Sequence, residues 1–268
     1  MSKTPKLQTQ RMQARIDDGI GWMIFNNPAR HNALSLEMWQ GIGDILENYN
    51  DNPAVRVVVM RGAGGKSFVS GADISEFDEK RANAEQRKSY GEIAGRASRW
   101  LSKLEKPLIG LIEGYCIGGG LATALAADIR FATPDSLFGI PAAKLGLGYE
   151  YDGLAKLART VGPSRARDIM FSARFMDAKE AKEMGLINFI ESRDDIEPKC
   201  IEYARRIAGN APLTVKAAKA AVNTWELGER IDDINRVKAM VDVCFNSDDY
   251  KEGRLAFSEK RTPRFEGS

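Results

Sequence analysis

A run of apolar residues that ends in three consecutive glycines constrains this chain more than any other feature. Residues 108–116 are rich in leucine and isoleucine and predict a buried strand, and Gly118-Gly119-Gly120 follows closely. Residues 121–127 favour a helix. Glycines at such a turn let the backbone approach a ligand and leave peptide N–H groups without acceptors at the helix start. These groups suit a developing oxyanion, although the glycines equally fit a tight turn under a closely packed helix.

Strand and helix patterns alternate along the first two thirds of the chain. Short apolar runs at residues 13–16 and 21–25 predict a β-hairpin. Ser35 is expected to cap a helix whose apolar residues begin at Met38. Further strands are predicted at residues 55–60, 68–69, 129–132 and 137–140, and helices at residues 78–104, 153–158, 164–171 and 178–184. Because the remainder is almost entirely helical in pattern, we predict an α/β core over residues 1–195 and a C-terminal helical region over residues 196–268.

Composition and charge argue against several classes of protein. The chain has 39 lysines and arginines against 37 aspartates and glutamates, so no concentrated basic surface for nucleic acid is expected. His31 is the single histidine, which argues against a metal site built from several histidines. The cysteines, Cys116, Cys200 and Cys244, are too widely spaced for a zinc ribbon, and we expect reduced, mostly buried thiols.

The sequence also predicts a soluble, cytoplasmic protein. Residues 1–19 are polar and charged and lack the apolar stretch of a secretory signal. The longest stretch without charge lies between Glu113 and Asp128 and is too short and glycine-rich to cross a bilayer, which takes about 20 apolar residues. We therefore expect no metal, no nucleic acid and no membrane among the ligands and partners.

A second glycine-rich segment, Gly-Ala-Gly-Gly-Lys-Ser at residues 62–67, superficially resembles a nucleotide-binding loop. The position of the first P-loop glycine is occupied by Met60, and residues 68–71 are poor helix formers. A dinucleotide-binding GxGxxG pattern fails as well, because Ser67 and Thr123 stand where a third glycine is needed. Neither nucleotide hydrolysis nor dinucleotide binding is predicted.

Three segments, taken in order, resemble one known family. They are Asn27-Pro28-Ala29-Arg30-His31-Asn32-Ala33-Leu34, Phe68-Val69-Ser70-Gly71-Ala72-Asp73-Ile74 and Gly114-Tyr115-Cys116-Ile117-Gly118-Gly119-Gly120. Further matches at residues 128–132, 185–187 and 257–261 extend the resemblance to the enoyl-CoA hydratase/isomerase (crotonase) family over nearly the whole chain. The resemblance implies a spiral of ββα turns, a C-terminal helical region that trimerises, and a homotrimer or a homohexamer made of two trimers.

The resemblance also implies roles for individual residues. Ser70 and Gly119 match the two residues whose backbone N–H groups form the family's oxyanion hole, which holds a thioester carbonyl and stabilises an enolate. Lys260 matches a lysine that reaches CoA phosphate, often in a neighbouring subunit. Lys66 is a weaker phosphate candidate and fits a solvated loop lysine equally well.

Further contacts to the acyl-CoA are expected from Ala72, Asp73 and Phe257. Phe257 matches an aromatic residue that lines an acyl pocket, and simple packing between helices is the alternative. The carboxylate of Asp73 is expected to bond local backbone or a nearby arginine. Coenzyme A is part of the substrate in this interpretation, and no separate cofactor is expected.

Two positions depart from the family's pattern. Hydratases of the family carry one glutamate two residues after the glycine triplet and another after the proline near residue 141, where this chain has Ala122 and Ala142. Hydration needs a water activated on one side of the double bond and a proton delivered on the other. Each such group contributes about 10²–10⁴-fold, so standard hydratase activity is not expected.

Residues 148–153, Gly-Tyr-Glu-Tyr-Asp-Gly, supply candidate replacements. Counted from the glycine triplet, Glu150 falls where dienoyl-CoA isomerases and an aryl-CoA dehalogenase place a catalytic carboxylate, and Tyr149 falls near the tyrosine of a decarboxylating member. We predict Glu150, Tyr149 and Tyr151 as catalytic residues, with Asp152 capping the helix that follows. His31 is interpreted as incidental.

The sequence therefore predicts an acyl-CoA-processing enzyme that polarises a thioester with backbone N–H groups while Glu150 moves a proton. Its reaction is expected to be an isomerisation, or an atypical hydration or lyase step. The alternative is a non-catalytic acyl-CoA-binding or assembly protein of the same fold. The two interpretations differ at Glu150, which only the enzyme requires inside the pocket.

Overall fold

The computed structural model describes residues 4–76 and 84–268, and a six-stranded sheet forms its frame. The strands are β1 (Met12–Asp17), β2 (Ile20–Phe25), β3 (Val57–Gly62), β5 (Leu108–Ile112), β7 (Ile129–Ala132) and β10 (Phe189–Ile190). They lie side by side in the order β1-β2-β3-β5-β7-β10. β1 and β2 form the predicted antiparallel hairpin, and the other neighbours are parallel.

A second sheet has four strands, and the turns that follow its parallel strands border the cavity described below. Its strands are β4 (Ser67–Val69), β6 (Tyr115–Ile117), β8 (Leu137–Gly139) and β9 (Met176–Asp177), in that order. The single strand predicted at residues 108–116 is wrong, because β5 and β6 belong to different sheets. Gly114 lies between them with φ +68°, and a Cβ there would sit 2.0 Å from the carbonyl oxygen of Lys66. Glycine therefore lets the chain pass from one sheet to the other.

Helices cover the sheets and follow them in the chain. They are α1 (Leu36–Asp51), α2 (Ala84–Lys103), α3 (Gly119–Ala124), α4 (Tyr151–Val161), α5 (Pro163–Ser172), α6 (Ala178–Glu183), α7 (Ile196–Ala208), α8 (Pro212–Glu226), α9 (Ile231–Asn246) and α10 (Asp248–Glu259). Ser35 caps α1 as predicted, because its side chain accepts from the Met38 N–H at 3.4 Å. The start of the helix predicted at residues 78–104 falls on residues 77–83, outside the described residues. The prediction that Asp152 caps α4 is wrong, since α4 begins at Tyr151 with Glu150 at the N-cap.

Both faces of the larger sheet are buried at its central strands, which explains why these strands are continuously apolar. Val58 and Met60 of β3 point into the main core, and Val57 and Val59 point into a second cluster beneath α7. The predicted helical character from residue 196 onward is confirmed. α7 packs on the sheet, whereas α9 buries no residue in this chain. The domain boundary at residue 195 stays a prediction.

Among the described helices, none combines the length and the apolar character that spanning a membrane requires.

The three cysteines are free thiols, as predicted. Cys116 and Cys200 are buried and Cys244 is half-buried. Burial raises the pKa of Cys200 to about 12, so its thiol stays protonated and unreactive at neutral pH.

Candidate active site

A cavity of about 530 Å³ opens where the smaller sheet meets the start of α3. Its walls come from the loop after β2, the residues after β4, the turn between β6 and α3, and the segment between β8 and α4. Because β4, β6 and β8 are parallel, the segments that follow them emerge at the same edge of the sheet. Its lining includes the apolar side chains of Ile117, Ile140, Leu145 and Leu147.

Glycine is suited to each of the positions 118, 119 and 120 for a different structural reason. Gly118 has φ +56° where β6 turns into α3. A Cβ on Gly120 would lie 2.0 Å from the carbonyl oxygen of Val69, so α3 packs directly against β4. Gly119 is the first residue of α3 and lines the cavity, so its N–H has no intrahelical acceptor. Within residues 4–76 and 84–268, no hydrogen bond from this N–H to another residue is present.

The structure contradicts the role predicted for Ser70. The Ser70 N–H donates to the carbonyl oxygen of His31 at 3.1 Å, so it is already paired inside the protein. Its side chain position still borders the cavity, together with the residues that follow it. The Ser70 N–H is therefore not free to bind the oxygen of a ligand.

A backbone N–H without an acceptor in the described structure lies further along the same segment, at Ala72, which the sequence predicted only as a CoA contact. On either side of Ala72 the backbone is bonded to Leu34: the Leu34 N–H donates to the Gly71 carbonyl at 2.8 Å, and the Asp73 N–H donates to the Leu34 carbonyl at 2.9 Å. In this parallel pairing the Ala72 N–H points away from Leu34. It has no acceptor among the described residues, and its nitrogen lies 3.7 Å from the point that a Cβ on Gly119 would occupy. Two unpaired peptide donors thus meet at the cavity wall.

Of the three consecutive candidates near residue 150, the structure brings one into the cavity. Tyr149 is half-buried and lines it, and burial raises the pKa of the phenol above its ordinary value. Glu150 is exposed, and Tyr151 is 79% exposed on the first turn of α4; neither lines the cavity. The predicted catalytic placement of Glu150 and Tyr151 is therefore not supported, whereas Tyr149 lines the cavity and its catalytic role stays a prediction.

The mouth of the cavity carries a cation held by a buried carboxylate. The Arg30 guanidinium donates to Ser75 Oγ at 2.8 Å and pairs with Asp73 Oδ1 at 3.4 Å. Asp73 is 6% exposed and also accepts from the Ser75 N–H, so its carboxylate bonds local backbone and an arginine, as predicted. His31 is exposed beside Arg30, and its ring packs edge-on against Tyr115. No group of three metal-ligating side chains is found in the described part of the chain.

The sequence and the fold both match one family of known proteins. A sequence model described as enoyl-CoA hydratase/isomerase matches residues 15–268. The chain belongs to this family. It is 32% identical over 250 residues to crotonyl-CoA hydratase from Syntrophomonas wolfei, covering 93% of this chain and 95% of that protein. It is 32% identical over 250 residues to carnitinyl-CoA dehydratase from Proteus mirabilis, covering 91% and 94%.

Solved structures of enoyl-CoA hydratase/isomerase relatives have the same fold. An enoyl-CoA hydratase/carnithine racemase from Magnetospirillum magneticum superimposes with a TM-score of 0.88 at 37% identity, over 97% of each chain. Enoyl-CoA hydratase from Bacillus anthracis gives a TM-score of 0.90 at 30% identity, over 97% of this chain and all of the other. The predicted crotonase-like α/β fold is confirmed.

The two positions where the family resemblance leads us to expect glutamates both carry alanine, and one of the two lines the cavity. Ala142 is buried and lines the cavity, directly after Pro141. Ala122 lies in α3, one turn beyond Gly118, whose carbonyl accepts its N–H at 3.0 Å. Both side chains are methyl groups, so neither transfers a proton.

The remaining predicted CoA contacts lie away from the cavity in this chain. Lys66 is exposed in the turn before β4, and Lys260 is exposed directly after α10, with φ +54°. Phe257 is 87% exposed and borders a separate apolar groove of about 890 Å³ between α8, α9 and α10, which we call the C-terminal groove. Their CoA contacts therefore stay predictions, and for Lys260 the predicted contact was expected to involve a neighbouring subunit.

Proposed function

We propose that this protein binds an acyl-CoA thioester and stabilises the enolate of its acyl group with the peptide N–H groups of Ala72 and Gly119. The observation that carries the proposal is the meeting of these two unpaired donors at the wall of a largely apolar cavity. Fixed N–H donors bind a carbonyl oxygen more strongly as it gains negative charge, and removing one typically costs about 10²–10³ in rate. The names of the relatives, which refer to crotonyl-CoA and carnitinyl-CoA, support a thioester of coenzyme A.

Tyr149 is the proton donor in this proposal, in place of Glu150. Burial raises the pKa of the phenol, so Tyr149 is neutral at physiological pH and acts as an acid rather than as a base. Glu150 is exposed outside the cavity lining and is not assigned this role. The methyl groups of Ala122 and Ala142 supply neither the base nor the acid of a standard hydration.

A lyase step fits these groups better than isomerisation or hydration, because the substrate itself supplies the electron pair of the enolate. In a 2-carboxyacyl-CoA, the bond between Cα and the carboxyl carbon breaks and CO2 leaves. The electron pair moves into the enolate, whose oxygen accepts from Ala72 and Gly119. Tyr149 then delivers its proton to Cα, and the phenolate recovers a proton from water. An apolar cavity favours the loss of a charged carboxylate as neutral CO2.

The test compares methylmalonyl-CoA with crotonyl-CoA as substrates of the wild type, Tyr149→Phe and Tyr151→Phe, with products followed by mass spectrometry. The wild type should form propionyl-CoA, and Tyr149→Phe should be about 10²–10⁴-fold slower because a positioned acid is lost. Tyr151→Phe should match the wild type, because Tyr151 is exposed. Efficient hydration of crotonyl-CoA that Tyr149→Phe leaves unchanged would refute the lyase assignment.

A non-catalytic acyl-CoA-binding role is the second candidate, favoured by the alanines at positions 122 and 142. Such a protein would bind butyryl-CoA through the same two N–H groups and convert neither substrate. Binding measured by calorimetry, together with no detectable product from either thioester, would therefore select this candidate over the enzyme.

We also propose that the protein is a homotrimer or homohexamer assembled through the C-terminal groove. The groove is lined by apolar side chains that include Phe245 at 60% exposure and Phe257 at 87% exposure. Large aromatic side chains left this exposed mark surfaces that are covered by another molecule. The family resemblance favours a second copy of the same chain as that molecule.

A further inference from the structure

Asn32 is a fully buried amide whose side-chain hydrogen bonds all go to backbone groups, one in its own loop and two in a distant segment. It has 0% exposure. Its Oδ1 accepts from the Asn27 N–H at 2.8 Å, and its Nδ2 donates to the carbonyl oxygens of Ala63 at 3.0 Å and Ser67 at 2.7 Å. An amide is required at this position, because an apolar side chain of similar volume would leave these three backbone groups without partners.

These three bonds tie together the ends of three strands. Asn27 follows β2, Ala63 follows β3, and Ser67 begins β4. Asn32 itself has φ +56°, a left-handed conformation that asparagine tolerates better than most residues. At Gly62 a Cβ would lie 2.7 Å from Asn32 Nδ2, so the absence of a side chain there makes room for the amide. The loop after β2 is thereby fixed onto the start of the smaller sheet.

The residues on either side of Asn32 hold the segment that contains Ala72. His31 accepts the Ser70 N–H, and Leu34 is bonded to the backbone immediately before and after Ala72. Residues 31–34 are thus the surface on which residues 70–73 lie. The direction of the Ala72 N–H follows from this pairing, and Asn32 anchors the pairing to the rest of the protein.

We infer that Asn32 is a positioning residue that keeps the Ala72 N–H directed at the same point as the Gly119 N–H, without touching the substrate. It acts through the backbone of His31 and Leu34. This inference rests on the proposed function, because it assigns a purpose to the direction of the Ala72 donor only if that donor binds a thioester oxygen.

The test compares the affinity of the protein for a CoA ligand that has the thioester carbonyl with its affinity for one that lacks it. Dissociation constants are measured by calorimetry for butyryl-CoA and for its thioether analogue S-butyl-CoA, which lacks the carbonyl oxygen. Asn32→Asp places a carboxylate oxygen against the carbonyls of Ala63 and Ser67, and Asn32→Gly removes all three side-chain bonds while allowing the left-handed backbone. Asn52→Asp is the matched control, since Asn52 is 8% exposed and its Oδ1 accepts from the Ala54 N–H at the end of α1.

Two hydrogen bonds to the carbonyl predict that the wild type binds the thioester about tenfold or more tightly than the thioether. We expect this ratio to fall towards one in both Asn32 variants, with the affinity for S-butyl-CoA little changed, and to persist in Asn52→Asp. A general loss of structure would weaken both ligands together, so the ratio separates positioning from stability.

Each other outcome has a distinct meaning. A ratio near one in the wild type would refute the proposed oxyanion site itself. A wild-type ratio that folded Asn32 variants retain would overturn the inference alone. Failure of both variants to fold would also overturn it, because Asn32 would then serve the fold as a whole rather than the Ala72 donor.

Discussion

Adjacent glycines in the Gly118-Gly119-Gly120 turn should respond in opposite ways to the same added methyl group. In Gly120→Ala the new Cβ would lie 2.0 Å from the Val69 carbonyl oxygen and 2.8 Å from the Val69 carbonyl carbon. Both contacts are with backbone, so no side-chain rotation relieves them. In Gly119→Ala the nearest atom is the Ala72 nitrogen at 3.7 Å, an ordinary contact distance. The first variant is therefore a test of folding and the second a test of the site.

The magnitudes follow from these contacts. Overpacking in a rigid interior costs about 1–3 kcal/mol, and we expect Gly120→Ala to reach the upper end because α3 must move away from β4. Gly119→Ala should keep or slightly raise stability, since alanine is about 1 kcal/mol better than glycine within a helix. Its methyl group, however, stands in front of the Ala72 N–H, where the thioester oxygen would accept. Loss of that donor corresponds to about 10²–10³ in rate.

Urea unfolding and the two CoA ligands measure both effects. We expect Gly119→Ala to unfold at the wild-type urea concentration or above, while losing the preference for butyryl-CoA over S-butyl-CoA. We expect Gly120→Ala to unfold at a clearly lower urea concentration. The reasoning is refuted if Gly119→Ala keeps the full preference for the thioester, or if Gly120→Ala is as stable as the wild type.

Two further predictions concern stability and assembly. Burial lowers the pKa of Lys106, whose Nζ donates to the carbonyls of Tyr49 and Asn52, to about 8. Between this value and the ordinary 10.5 the unfolded chain holds a proton that the folded protein has released, so the wild type should gain stability as pH rises through this window. Lys106→Met should lose that gain in urea unfolding, and parallel pH curves would contradict the assignment. Phe257→Glu should convert an oligomer to monomers by light scattering, whereas Phe171→Glu, also exposed but on α5 outside the C-terminal groove, should not.

Much of the fold follows from local patterns, and the errors occur where a tertiary contact decides. The hairpin and α1 were predictable because apolar alternation and the Ser35 cap are encoded within a few residues. The break between β5 and β6 was not, because residues 108–116 read as one apolar run. The break depends on Gly114 fitting against the Lys66 carbonyl, a contact with a segment 48 positions earlier.

Of the three catalytic side chains predicted near residue 150, one lines the cavity and two do not. Counting along the chain selected Tyr149, Glu150 and Tyr151 together. Which of them faces inward depends on the residue at which α4 begins, and α4 begins at Tyr151 rather than at Gly153. A shift of two residues in the start of a helix changes the direction in which the side chains next to that start point. The sequence pattern does not fix a boundary to that accuracy.

The choice between Ser70 and Ala72 shows why a site made of backbone groups is hard to read from sequence. The family resemblance pointed to Ser70, and the sequence alone does not show which backbone N–H groups of residues 70–73 are left unpaired after folding. The decision belongs to the partner segment: His31 takes the Ser70 N–H, while the pairing of Leu34 around Ala72 leaves the second donor unpaired. Such donors carry no side-chain chemistry, so under the proposed function they account for stabilising an enolate but do not determine which reaction follows. The kind of reaction then depends on the side chains nearby. Tyr149 and Ala142 both line the cavity, burial raises the pKa of the phenol, and the methyl group of Ala142 offers no base, so under the proposed function these residues favour protonating an enolate over forming one.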